Sequence, residues 1–337
     1  MTDFHVYGLG NALVDIEIEI DADELSNIGV EKGIMTLIDE DRHVELLNKV
    51  QGNQHQRACG GSAANTTIAV AQLGGKSFYS CRIGNDETGD FYYTDLHNEG
   101  VVTNLAASPR EDGVTGKCLV MITPDADRSM NTFLGITSEL TESLLDFDAL
   151  AKSKFLYIEG YLAASPTAVI TSVKAIKKAR ELSVPVAFSL SDPSMVQFCR
   201  EGLDTMLEGG VELLFCNEAE ALAYTAAESI TEACEALKKV ANKFVITLGP
   251  KGSIIFDGSN YHDISAVKVE AIDTNGAGDL FAGSFLYAIT SGLSEVVAGS
   301  IASFASAKLV TSFGPRLNPE HLEEVRAEVK KHLGQDN

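Results

Sequence analysis

Three near-continuous apolar runs constrain this chain most: "VPVAFSL" at Val184–Leu190, "VELLFC" at Val211–Cys216 and "KFVITL" at Lys243–Leu248. A strand with one wet face alternates apolar and polar residues, whereas these runs suit strands covered on both faces. Amphipathic helices fall between them. One opens at Ser165-Pro166 and carries Val169, Val173 and Ile176; another spaces Ile230, Cys234, Leu237 and Ala241. Repeated strand, helix, strand with buried strands predicts an α/β fold, a mostly parallel sheet with helices on both faces. The first third has a different rhythm. Val14, Ile16, Ile18 and Ile20 alternate with Asp15, Glu17 and Glu19, the period of a half-exposed strand. "GIMTLID", "GKCLVMIT" and "SMNTFLG" are further extended pieces, expected to form a small β flap over one end of the sheet.

Charge narrows the partners. With 26 basic and 48 acidic residues the net charge is −22, which repels phosphate backbones and anionic lipid, so neither nucleic acid nor membrane is expected. A small anion needs locally placed N–H groups or cations. The six cysteines form no C-x-x-C pair and no zinc-like cluster, which favours a reducing compartment. No Lys or Arg precedes Lys32, so the charged start of a signal peptide is missing and a cytoplasmic location is expected. Between Leu280 and Ala307 the only charge is Glu295, but Gly, Ser and Thr dilute the run and Gly292 breaks it. Two buried helices are expected there, not a membrane span.

Several glycine motifs fail on inspection. Gly8-Leu9-Gly10 begins like a dinucleotide fingerprint, but Leu13 stands where its third glycine belongs. Gly75-Lys76-Ser77 ends like a P-loop, yet Val70 occupies the first glycine's place and a helix precedes it. The seven histidines show no H-E-x-x-H, which argues against a catalytic zinc.

"DTNGAGDLFAGSFLYAI", Asp273 to Ile289, passes. A helix starting there leaves the N–H groups of Gly276, Ala277 and Gly278 unpaired at its positive end, where an anion is favoured. Asp279 directly behind them is suited to take a proton from a hydroxyl, or simply to cap the helix. In "GGSAANTTIAVAQLGG" the glycines Gly60 and Gly61 allow close approach to the backbone, and the Asn65 amide can donate to and accept from hydroxyls. Asn217 and Glu220 follow a buried strand. They suit a Mg²⁺-bound water and phosphate oxygens, and equally a capping box. "TLGPKG", Thr247 to Gly252, is a glycine-punctuated turn after a strand.

The order and spacing of these motifs resemble the ribokinase family of carbohydrate and nucleoside kinases, also called the phosphofructokinase-B family. The likeness runs from about Val6 to Pro315 and implies a three-layer α/β/α sandwich with a β lid. The lid is expected at residues 11–55 and 112–137, on a large α/β domain of residues 1–10, 56–111 and 138–337. The resemblance implies ATP with Mg²⁺, transfer to a primary alcohol, and leaves a K⁺ requirement open. It makes Asp279 the catalytic base and Gly276, Ala277 and Gly278 the anion hole. Asn217 and Glu220 match its Mg²⁺–phosphate motif, Glu220 acting on the metal through water. Thr247, Gly249 and Gly252 match nucleotide-binding positions. Asn11, Asp15, Gly60, Gly61 and Asn65 match residues that hold the acceptor's hydroxyls.

Within the family, "GLGNALVDI", "YIEGYL", "SLSDPSMVQF" and Asn275 resemble the adenosine kinase branch, with Tyr161 beside the base and Arg128 as a lid arginine able to meet phosphate. Ala64 departs from that branch, which usually has Gln before the Asn, and is commoner among sugar kinases. The expected acceptor is adenosine, with a ribose- or fructose-like sugar as the alternative and a non-catalytic ligand sensor behind it. A monomer or homodimer is expected.

Overall fold

Successive side chains on the long strands go to opposite cores. Tyr157, Leu213, Phe215 and Val245 join one, while Leu156, Ile158, Leu214, Cys216, Phe244 and Ile246 join the other. That two-sided burial is what the apolar runs demanded. The computed structural model describes residues 3–50, 54–106, 109–125 and 127–334. Its strands in chain order are β1 (Phe4–Leu9), β2 (Leu13–Glu19), β3 (Met35–Leu37), β4 (Gln54–Gly60), β5 (Ser77–Ser80), β6 (Gly116–Ile122) and β7 (Arg128–Phe133). They continue with β8 (Ser153–Glu159), β9 (Val186–Ser189), β10 (Val211–Asn217), β11 (Ala241–Thr247), β12 (Ser253–Phe256) and β13 (Tyr261–Ile264).

The main sheet has the order β13-β12-β11-β10-β9-β8-β1-β5. Its pairs from β5 to β11 are parallel and only β12 and β13 run against their neighbours. One core packs under the helices Ser62–Gln72, Ala277–Thr290, Glu295–Leu309 and Pro319–Leu333; the other lies under Pro166–Glu181, Glu218–Thr225 and Ile230–Leu237. This is the expected three-layer α/β sandwich. The chain leaves β1 toward β5 on one side and returns as β8 on the other, so strand order reverses at β1. Ligands of open α/β sheets bind at the carboxyl ends of strands beside such a reversal. The apolar stretch after Leu280 is the expected pair of helices, and no described helix is long and apolar enough to cross a membrane.

A second sheet, β3-β7-β6-β2-β4, lies beside the first. It differs from expectation in two ways. β4 pairs with β2 along its length, so residues 56–60, expected in the large domain, belong to the small sheet. The acids of β2 are not on a wet face either: Asp15 is 6% and Glu17 1% exposed, and only Glu19 reaches solvent. The isoleucines Ile16, Ile18 and Ile20 instead pack with Leu25, Leu46 and Leu119 beneath the lid's own helix Glu40–Lys49. Both faces are covered, which alternation alone does not reveal.

The helices Ser62–Gln72 and Ala277–Thr290 touch where Gly283 lies. A Cβ there would sit 2.5 Å from Thr66 O and 2.6 Å from the Ala69 Cβ. Gly283→Ala is therefore expected to push the helices apart and to cost about 1–3 kcal/mol, the range for overpacking. Urea unfolding measures it; a change within experimental error would show that the contact yields freely.

Candidate active site

The start of the helix Ala277–Thr290 brings the C-terminal motif against the N-terminal one. Gly276 caps the helix at φ 72°, a left-handed conformation that glycine adopts readily. A Cβ there would also lie 2.7 Å from Pro315. Beneath the loop, buried Asp273 accepts from the N–H groups of Asn275 (2.8 Å) and Gly314 (2.9 Å), fixing its path. The N–H of Ala277 donates to Thr274 O at 3.3 Å. Those of Gly276 and Gly278 have no protein acceptor among the described residues. Nothing stands within 4 Å of where a Gly278 side chain would begin, so an anion can reach the backbone there.

Asp279 points across to the other helix. Its Oδ1 accepts from Ser62 Oγ at 2.6 Å and its Oδ2 from Asn65 Nδ2 at 3.0 Å. Burial raises its pKa, while these two donors and the Arg128 charge hold the rise back. Arg128, on β7 of the lid, donates to Thr274 O (3.2 Å) and Asn275 Oδ1 (3.4 Å), spanning from the small sheet to the glycine loop.

One cavity of about 230 Å³ gathers most of the sequence-expected residues: Asn11, Asp15, Gly61, Asn65, Arg128, Tyr161, Asn217, Glu220, Thr247 and the loop from Gly276 to Asp279. Gly60 does not line it, but a Cβ at Gly60 would overlap the Asp15 carboxylate. Gly249 and Gly252 also lie outside it, shaping the turn between β11 and β12. A side chain on Gly252 would meet Ile264 O. The other wall is apolar, made by Leu13, Met35, Leu37, Met130 and Leu134 of the lid segments.

Asn217 and Glu220 form the capping box. Asn217 Oδ1 accepts from Glu220 N at 2.8 Å, and Glu220 Oε2 accepts from Asn217 N at 3.0 Å. Their side chains are also joined at 2.6 Å. Both residues line the cavity all the same, so capping does not remove them from it. No group of three or more His, Cys, Asp or Glu that could hold a metal occurs among the described residues. A divalent ion here would depend on phosphate and water oxygens, with Glu220 as a charged neighbour. That donor set fits Mg²⁺, which keeps several waters.

Glu159, at the end of β8, was not singled out from sequence. It is fully buried and accepts from Asn11 N (2.8 Å), Asn11 Nδ2 (2.9 Å) and Ala63 N (2.7 Å). It thereby ties the exit after β1 and the return after β4, two of the chain's crossings between the sheets, to the main sheet. Burial lifts it to about 7 against those donors. Its signal was legible as an acid ending the apolar run "FLYI". Ser62 opens its helix, and its bond to Asp279 depends on a residue 217 positions away, which no local pattern reports.

A carboxylate facing an open helix start, at the strand ends of a lidded parallel sheet, suits an enzyme that moves a phosphoryl group onto an alcohol. Its family is shown directly: the model for the pfkB family of carbohydrate kinases matches residues 32–322, and the chain belongs to that family. It is accordingly an ATP-dependent kinase with an alcohol as acceptor. The adenosine kinase of Sinorhizobium meliloti matches the structure with a TM-score of 0.90 and 34% identity, over 96% of this chain and 99% of that one. A Rhizobium etli protein described as "probable sugar kinase protein" matches with a TM-score of 0.91 and 32% identity, over 97% and 99%. In sequence, the adenosine kinase of Dictyostelium discoideum is 26% identical over 93% of this chain and 96% of its own.

The Asp15 carboxylate accepts no hydrogen bond from the described residues, and burial, then Glu17 and Asp279, lift it to about 8 from an ordinary 3.8. A folded pKa above the unfolded one means the folded state holds the proton more tightly. Stability therefore falls as pH rises from about 4 to 8. Asp15→Asn is expected to raise the melting temperature more at pH 8.5 than at pH 5. Calorimetry at both values checks it, and a variant less stable at both would make Asp15 a structural residue.

Proposed function

We propose that the chain phosphorylates a nucleoside, adenosine first, at its primary 5′-hydroxyl. The observation that carries this is the cavity's two-ended character. Asp15, Asn11 and Asn65 offer hydroxyl-binding groups near Asp279, while Tyr161 and the lid's Leu13, Met35, Leu37, Met130 and Leu134 offer an apolar wall. A ribose satisfies the first end. An attached aromatic base satisfies the second, and a free sugar leaves it in contact with water. The names of the Sinorhizobium and Dictyostelium relatives support the same reading.

In this reading Asp15 accepts from the 2′- and 3′-hydroxyls, which lets one carboxylate serve two donors. Asp279, held by Ser62 and Asn65, accepts the proton of the attacking hydroxyl. The N–H groups of Gly276 and Gly278 and the guanidinium of Arg128 face the charge on the transferring phosphoryl group. Asn217, Thr247 and the turn holding Gly249 and Gly252 lie toward the nucleotide, with Thr247 beside Asn217 in register. Glu220 would stand beside a Mg²⁺ ion bound with the phosphates, and the ion would supply charge neutralisation to their oxygens. The alternative, a ribose- or fructose-like acceptor, is favoured by Ala64 and by the Rhizobium relative.

Asp279→Asn is expected to lower turnover by ~10²–10⁴-fold with binding of both substrates largely kept. Turnover within a few-fold of wild type would make Asp279 only a structural tie between the two helices. With ATP consumption measured for adenosine, inosine, ribose and fructose under one buffer, adenosine is expected to give the highest kcat/KM, by roughly ten- to a hundredfold over ribose. A winning free sugar overturns the nucleoside reading.

Glu220→Gln preserves shape and most capping bonds but removes the charge. Activity is expected to need several-fold more Mg²⁺ with little change in melting temperature. An unchanged Mg²⁺ titration would leave Glu220 as a cap alone.

A further inference from the structure

Arg316 follows directly on the Gly314-Pro315 pair that supports the glycine loop. Gly314 N is bound to Asp273, and Pro315 fills the space a Gly276 side chain would need. The Arg316 side chain then turns the other way, toward the lid crossing. Its Nη2 donates to Asp95 Oδ2 at 2.7 Å and to Cys59 O at 2.9 Å. Its Nη1 donates to Asp95 Oδ1 and Glu99 Oε1, each at 3.2 Å. Asp95 in turn accepts from Cys59 N at 2.8 Å. Both backbone polar groups of Cys59 are thus held by one ion pair, whose side chains are 14% and 24% exposed. Cys59 is the residue before Gly60 and Gly61, against which Asp15 packs.

We infer that Arg316 is a positioning residue that fixes the acceptor-holding turn at Gly60-Gly61 and the phosphate-facing loop at Gly276–Gly278 in one register. It touches neither substrate. It acts through Cys59 on one side and through Pro315 on the other. The two loops are more than two hundred positions apart in sequence yet only one residue from either end of this link. A planar fork can hold a carboxylate and a carbonyl at once, which a lysine ammonium does with much less definition. The role assigned to Gly60-Gly61 rests on the proposed function; the link itself does not.

The charge adds a second signature. Asp15 is faced by Glu17 on its own strand, by Asp279 from the opposite helix, by the Cys118 thiol of β6, and by two cations, Arg128 and Arg316. Glu17 and Asp279 push its pKa up, and Arg316 and Arg128 pull it down. Removing the Arg316 charge moves Asp15 further up, so the acid limb of acceptor kcat/KM moves to higher pH.

The test uses the full chain with Arg316→Lys, and with Arg316→Met combined with Asp95→Asn so that this carboxylate is not left unpaired. Amide hydrogen exchange is read at residues 57–62 and 273–279, and kinetics with adenosine and ATP across pH 6 to 9. In Arg316→Lys both segments are expected to exchange roughly tenfold faster together. KM for adenosine is expected to rise roughly tenfold while that for ATP stays within about twofold, with the acid limb in place. In the paired variant the acid limb is expected to shift up by about half a pH unit or more. The inference is overturned if faster exchange is confined to residues near 316, or if both loops keep wild-type protection while only the melting temperature falls. Should wild-type protein act on neither adenosine nor a sugar, the acceptor reading fails, and the exchange data alone decide the link.

Discussion

The hydrogen bonds from Ser62 and Asn65 to Asp279 are the contact on which the site depends. They join a helix near the N-terminus to one near the C-terminus and hold a half-buried carboxylate that no cation among the described residues contacts directly. Burial disfavours its charge, and two side-chain donors offset that cost while fixing its direction. The contact requires the helices to approach at Gly283, where the backbone of one meets the other. With Asp279 fixed, its own helix start sets where the N–H groups of Gly276 and Gly278 point. Acid and glycine loop therefore belong to one helix start.

Charge around that body is uneven. Asp15, Glu159, Glu220 and Asp279 all line one cavity, and Arg128 is the cation among the described residues that do so. Burial is the largest cause of the upward shift in each of these carboxylates. Their roles diverge through hydrogen bonding. Glu159 is saturated by backbone and amide donors and works as a tie between the sheets. Glu220 is occupied by its own helix start. The Asp15 carboxylate accepts no hydrogen bond from the described residues, which leaves its oxygens open to the cavity. A neutral polyol suits that end, and an anion suits the neighbouring helix start and Arg128.

Asn217 and Glu220 show why the local pattern left two readings open. Asn followed by Glu three residues on satisfies a helix start by itself, and the bonds are all formed. The same spacing at the end of a buried strand also delivers both side chains to the cavity. Helix capping and a place on the cavity wall draw on one arrangement, because a strand end in a parallel sheet is also a helix beginning.

The sequence by itself determined the sandwich, the parallel sheet and the glycine loop. Each of these rests on local physics: two-sided apolar runs, helical spacing and backbone freedom at Gly276. It also named most of the cavity, since motifs at strand ends of one sheet must converge on one edge. Only the tertiary structure decided what needs two distant segments at once. It turned Asp15 and Glu17 inward, because the lid sheet is covered on both faces and alternation reports only that its faces differ. It carried β4 into the small sheet, because strand pairing is a choice of neighbour that no single segment encodes. It assigned Ser62, Glu159 and Arg316 their partners, since a hydrogen bond across the fold leaves no period and no spacing in the chain.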